Sequence, residues 1–185
     1  MQSYKYFDKF EDMIRATFTF KKSIIDATIS FFLQTAETHP KLSKSIWIGI
    51  HNRRTDYISN HSIQYGRVVP DAQYFKHTMA YFKNRIQRPI TFIVCGDDPN
   101  WNTEHIASLH INDVIISRGQ SASVDLAILA ACDHVIMSVG SFGWWGAYLA
   151  EGTVVYYSEF ARPGSNKEAH FIKDDHYPPH WISMT

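Results

Sequence analysis

The chain has 185 residues, 45% of them hydrophobic and 15% aromatic, which suits one domain with a sizeable core. Lys+Arg and Asp+Glu stand at 18 each, so no global field singles out nucleic acid or an anionic membrane surface as a partner. No apolar run reaches the roughly 18 residues that would span a bilayer, and the opening Met1-Gln2-Ser3-Tyr4-Lys5-Tyr6 lacks the apolar core of a signal peptide, so no membrane segment is read here.

Residues 1–22 read as an incomplete lead-in, with Phe7, Phe10, Met13 and Ile14 at helical spacing and Phe18-Thr19-Phe20 extended. Ser23 to Thr38 reads as a helix, with Ser23 as its cap, Ile24, Ile25, Ile29, Phe32 and Leu33 on its apolar face, and His39-Pro40 ending it. Ile46–Ile50 is a short apolar run of the kind that makes a buried strand. Ser59–Val69 is polar and reads as a loop, in which Asn60-His61-Ser62 is a glycosylation sequon if the chain is secretory. Asp71 caps a helix from Ala72 to about Arg85. A second strand, Ile90–Cys95, runs into a turn at Gly96–Asn100, followed by a short helix at about Thr103–Leu109. Asp113–Ser117 is a third strand, and a helix capped by Ser121 or Ser123 follows to Cys132. His134–Ser138 is a fourth strand, Gly140–Gly143 turns into a helix ending near Gly152, and Thr153–Tyr157 is a fifth strand. Beyond Phe160 the chain is polar and proline-bearing. Strands that alternate with helices across short connections predict an α/β fold, a Rossmann-like doubly wound, mostly parallel sheet of about five strands.

Three polar spots follow strands: His51–Asp56, Gly96–Asp98 and Ser138–Phe142. In an open α/β sheet the carboxyl ends of the strands form the ligand crevice. Arg53 and Arg54 each carry a planar fork of donors suited to phosphate, with a surface ion-pair cluster including Asp56 as the plainer reading. Gly140-Ser141 opens a helix whose free N–H groups suit an anion, or is simply a tight connection. Asp125 is either a favourable first-turn charge or a ligand contact. Trp144 and Trp145 read as packing residues. Cys95 and Cys132 fit no metal or redox spacing and read as buried thiols, and the ten histidines, His61 and His77 among them, form no zinc-ligand pattern.

Gly49-Ile50-His51-Asn52-Arg53-Arg54-Thr55-Asp56-Tyr57 resembles the H-x-R-R-x-D-Y motif of the α-1,2-fucosyltransferases, glycosyltransferase family 11. The stretch from Asp125 to Ser138 resembles that family's second block, and Ser141-Phe142-Gly143-Trp144-Trp145-Gly146-Ala147-Tyr148-Leu149 its third, in the same order, over about Phe18 to Trp181. Asn52 and Thr55 stand where the family usually has a small apolar residue and often a glycine. The resemblance implies the C-terminal, donor-binding half of a GT-B type enzyme. It would take L-fucose from GDP-β-L-fucose to the 2-hydroxyl of a terminal galactoside on a glycan, with inversion. No metal and no cofactor would be needed, and the enzyme would work at the lumenal side of the Golgi membrane. By the same resemblance Arg53 and Arg54 hold the pyrophosphate, while Asp125, Ser138, Ser141 and Phe142 lie near the nucleotide. Asp56 and His51 are rival bases, beside Arg54 as a catalytic residue. The plainer reading has Asp56 orient an arginine fork and His51 pack against the strand end, since a carboxylate that already holds an arginine is a poor base. A GDP-sugar-binding remnant without turnover is the alternative function.

Overall fold

A computed structural model of the chain describes residues 3–39, 44–109 and 113–185. Its strands are β1 Ile46–Asn52, β2 Ile90–Gly96, β3 Val114–Ile116, β4 His134–Met137, β5 Val154–Tyr157 and β6 Ile182–Met184. They form one sheet in the order β3-β2-β1-β4-β5-β6, and every neighbouring pair is parallel. The helices are α1 Glu11–Thr17, α2 Lys22–Thr38, α3 Asn60–Tyr65, α4 Ala72–Lys83, α5 Pro99–His105, α6 Ala122–Ala131, α7 Ser141–Leu149, α8 Asn166–Ala169 and α9 Lys173–His176. The α/β, doubly wound architecture is as expected from the alternating pattern.

The central strands read as unbroken apolar runs because both of their faces are covered. On one face Ile48, Ile50, Phe92 and Val94 share a core with Tyr74, Phe75, Met79 and Phe82 of α4. On the other, Ile93 and Cys95 pack with Val124, Ile128 and Leu129 of α6 and with the inner side of α2. Gly49 lets α6 come close: a Cβ there would stand 2.9 Å from Leu129 Cδ2. Both cysteines are buried free thiols in this layer. The lead-in begins as 3-10 turns at Tyr4–Tyr6 and Asp8–Phe10, continues into α1, and packs against α7, where Phe7 lies 5.6 Å from Trp145 and Phe18 stacks on it at 4.9 Å.

Several local expectations need correction. Ser23 does not cap α2; the helix starts at Lys22 behind Lys21, without a side-chain cap. His39 follows its last turn, and Pro40 lies outside the described residues. Ser59–Val69 is not all loop. Ser59 accepts from Ser62 N and Gly66 closes the other end at φ 98°, which makes α3 a short capped helix. The helix expected at Thr103–Leu109 begins earlier, at Pro99, because Asp98 accepts from Trp101 N and proline suits a first helical position. The polar tail holds a sixth strand, β6, which pairs with β5 from Val155↔Ile182 to Tyr157↔Met184. Asp71 caps α4 as expected, accepting from Gln73 N and Tyr74 N.

Candidate functional site

In this strand order the chain leaves β1 toward β2 on one side and reaches β4 on the other, so the β1/β4 pair is the switch point at whose carboxyl edge ligands bind in such sheets. The turn after β1 is built around Asp97, which follows β2. Asp97 accepts from Arg54 N at 2.8 Å, Thr55 N at 3.2 Å and Thr55 Oγ1 at 2.6 Å, and it pairs with Arg53 Nε at 3.2 Å. Arg53 Nε also donates to Asp56 Oδ1 at 2.7 Å. That bond, with Asp97 behind it, raises Arg53 further above its ordinary pKa against the cost of burial. The hydrogen bonds that Arg53 makes to carboxylates thus use Nε. Asp56 is exposed and caps nothing itself, but its carbonyl accepts from the Ser59 and Ser62 hydroxyls.

Arg54 points elsewhere. Its guanidinium lies over the Trp101 ring, 3.9 Å from the centroid, and Nη1 donates to the Pro70 carbonyl at 3.2 Å, while Nε is buried without a partner. Burial lowers its pKa, and Asp98 and Asp97 act against that. Beneath the turn the Asn52 and Asn102 amides meet at 2.6 Å, both fully buried.

On the β4 side, Ser138 accepts from Arg53 N at 2.9 Å and its own N–H donates to the His51 carbonyl at 3.0 Å. Its Oγ lies 3.3 Å from His51 Nδ1. His51 is 3% exposed and sits under the first turn of α7, so close that a Cβ on Gly143 would come within 2.2 Å of Nδ1. Burial lowers His51 to about 4; Asp97 pulls it back up in part, and the Arg53 charge adds a smaller push downward. It is therefore neutral at pH 7 and shut away from solvent. Phe142 lies 5.6 Å from His51 and packs toward the α6 layer.

Ser141 starts α7 after Gly140, whose φ of 92° and proximity to Tyr57 suit glycine alone. Ser141 is exposed and opens onto a cavity of about 220 Å³ shared with Tyr57, Phe160, Lys167, His170 and Phe171. Trp144 and Trp145 are packing residues here: Trp144 is wholly buried and donates Nε1 to the His176 carbonyl at 2.8 Å. Asp125 is set apart, under the carboxyl ends of β2 and β3, where it accepts from Ser117 Oγ at 2.6 Å. Burial raises its pKa, while the Ser117 hydroxyl and the Cys95 thiol act to lower it.

The carboxyl edge of the sheet thus holds every candidate donor-site and catalytic residue named from the sequence, but in separate groups. His51, Arg53, Asp56 and Ser138 form one connected cluster; Arg54 turns to α5, Ser141 to the cavity, and Asp125 to Ser117. Two participants were missed. Asp97 lay in a stretch marked as polar, yet its role depends on a turn 43 residues away. Lys167 lies in the tail, where no motif marks it.

The sequence matches the family model described as "Glycosyl transferase family 11" over residues 2–185. It is 34% identical over 142 residues to the Bos taurus galactoside 2-α-L-fucosyltransferase SEC1, which is 76% of this chain and 38% of that protein. It is 30% identical over 185 residues to the Mus musculus galactoside α-(1,2)-fucosyltransferase 1, covering 98% of this chain and 48% of that one. The chain spans about half the length of these relatives, or less. A crystal structure of NodZ α-1,6-fucosyltransferase soaked with GDP-fucose overlays on 71% of this chain and 43% of that chain, with a TM-score of 0.49 and 19% identity.

Proposed function

This chain belongs to glycosyl transferase family 11, and on that premise we propose that it carries the donor-binding machinery of a galactoside 2-α-L-fucosyltransferase using GDP-β-L-fucose. The observation that carries the reading is the family match over residues 2–185, in which Arg53 follows β1 and Ser138 and Ser141 follow β4 at the switch point. No feature of the geometry favours a remnant without turnover.

In this reading the C1–O bond to the β-phosphate breaks, its electron pair leaves with GDP, and C1 becomes oxocarbenium-like. The acceptor 2-hydroxyl attacks from the opposite face, so the configuration inverts, and its proton passes to a base or to water. The chain's part is to hold the diphosphate and meet the charge that builds on it. Arg53 offers its two Nη groups, with Nε held by Asp56 and Asp97. The amides that open α7 offer further donors. The Arg53–Asp56 bond supports an orienting role for Asp56, and the burial of His51 argues against a base role for that imidazole. Fixed cations and amides stand in for a metal, so transfer is expected to persist in excess chelator; a rate lost on chelation and restored by a divalent ion would count against this. The acceptor is a galactoside-terminated glycan, and a lumenal Golgi setting is proposed on family grounds alone.

The test is calorimetric titration of the chain with GDP, GDP-fucose and UDP, followed by transfer of labelled fucose to a β-galactoside. GDP and GDP-fucose are expected to bind and UDP to bind far more weakly. Absence of GDP binding would overturn the reading. GDP binding with no transfer to any β-galactoside, once an acceptor-binding partner segment is supplied, would turn it into the remnant.

A further inference from the structure

A diphosphate carries more negative charge than the β1 turn can match. Arg53 and Arg54 are surrounded there by three carboxylates: Asp56 and Asp97 pair with Arg53, and Asp97 and Asp98 act on Arg54. The turn as built has no surplus of positive charge, whatever donors it offers. A surplus exists nearby. Lys167, half-buried at the wall of the Ser141 cavity, makes no ion pair among the described residues; its Nζ lies over the rings of Phe160 at 4.7 Å and Phe171 at 5.3 Å. Arg67 stands behind the same wall, over Tyr57 at 4.8 Å, and its hydrogen bond goes to the neutral Ser62 hydroxyl at 3.2 Å. The cavity also has a carboxylate, Asp175, but Lys5 Nζ already donates to it. Burial lowers the Lys167 pKa and the charge of the nearby Arg67 lowers it further, and neither cation has an ion pair among the described residues.

The geometry points to a second anion position for the donor: the Ser141–Tyr57–Lys167 cavity receives a phosphate of the diphosphate, with Lys167 as its cation and Arg67 behind. This rests on the reading of the chain as a GDP-fucose-binding protein. A cavity of about 220 Å³ holds a phosphate group with room for part of a sugar. Gly140 and Ser141, at the start of α7, line it together with Lys167, and the first amides of that helix have no side-chain cap. A bound phosphate would relieve the Lys167–Arg67 repulsion and supply the ion pair that Lys167 lacks. Lys167 would then be a binding residue for the leaving group, contributed by the tail and not by any of the three sequence blocks.

The experiment titrates wild type, Lys167→Ala and Lys167→Arg with GDP, with guanosine and with inorganic pyrophosphate, checking each variant's fold by thermal melting. Lys167→Ala should lose about tenfold or more in GDP affinity, the scale of one hydrogen bond to a charged group. Guanosine binding should be unchanged, and Lys167→Arg should keep most of the affinity. A wild type that binds GDP while Lys167→Ala binds it within twofold would overturn the inference. So would a variant with normal GDP affinity but a raised KM for the galactoside, which would give the cavity to the acceptor. Pyrophosphate binding that depends on Lys167, in a wild type that does not bind GDP, would uphold the anion position and sink the nucleotide reading instead.

Discussion

Asp97 shows what a single residue can organise. Two backbone N–H groups, a hydroxyl and an arginine converge on its carboxylate, so it fixes both the path of the turn and the direction of one fork. Asp97→Asn keeps the shape but loses the charge and part of the accepting capacity, and should weaken GDP binding by about 1–3 kcal/mol; calorimetry against wild type checks this, and equal affinities would refute the positioning role. Asp56→Asn separates two roles. If Asp56 only holds Arg53, affinity for GDP-fucose and kcat should fall together, whereas a base would lose kcat with binding unchanged. His51 gives a pH signature. Its folded-state value of about 4 lies below the ordinary 6.5, so the unfolded chain takes up a proton first as the medium acidifies. Stability is therefore full above about 6.5 and falls toward pH 4, by up to about 3 kcal/mol from this group. Urea titrations of wild type and His51→Gln across that window should show a smaller pH dependence in the variant. The residue types of this site were legible in the sequence, because arginines after a buried strand and a glycine-serine turn before a helix are local patterns. Their pairings were not, since Asp97 and Lys167 reach the site only through the fold.

At the scale of elements, boundaries followed capping chemistry where a strong cap exists and drifted where it does not. Asp71 set α4 correctly, while α2 starts without a side-chain cap and so left Ser23 as a false signal. α3 was hidden by its polar composition, although Ser59 and Gly66 mark its two ends. β6 escaped because three residues in a proline-bearing tail carry no periodicity, and only the edge of β5 makes them a strand. The α7 start is where local structure bears most on the site. Gly143 faces the buried His51 ring at a distance that excludes a methyl group. Gly143→Ala should cost about 1–3 kcal/mol of stability through overpacking, read as a lower urea midpoint. It should also weaken GDP binding by shifting the amides at the head of α7. A Gly143→Ala protein as stable as wild type would mean that α7 and β1 are less closely packed than described.

For the whole molecule, the α/β class was legible because buried parallel strands and capped helices alternate strongly, whereas strand order was not, being set by which helix covers which face. The order β3-β2-β1-β4-β5-β6 is what brings the β1 turn beside the head of α7. The lead-in ties into this same arrangement. Phe7 touches Trp144, Trp145 and Tyr148, Phe18 stacks on Trp145, and Arg15 Nη1 donates to the Leu149 carbonyl at 3.2 Å. These contacts all fall on the helix whose first turn lines the cavity, so the lead-in should unfold with the sheet and not ahead of it. Phe7→Ala removes an aromatic from three rings and should cost about 2–4 kcal/mol, somewhat below a fully buried site because Phe7 is only half-buried. If the lead-in belongs to the cooperative unit, urea unfolding followed by tryptophan fluorescence and by far-ultraviolet circular dichroism will shift to a lower midpoint together, with the slope unchanged. An early fluorescence change from Trp145 with the circular dichroism midpoint unmoved would show instead that the lead-in detaches on its own and that α7 keeps its place without it.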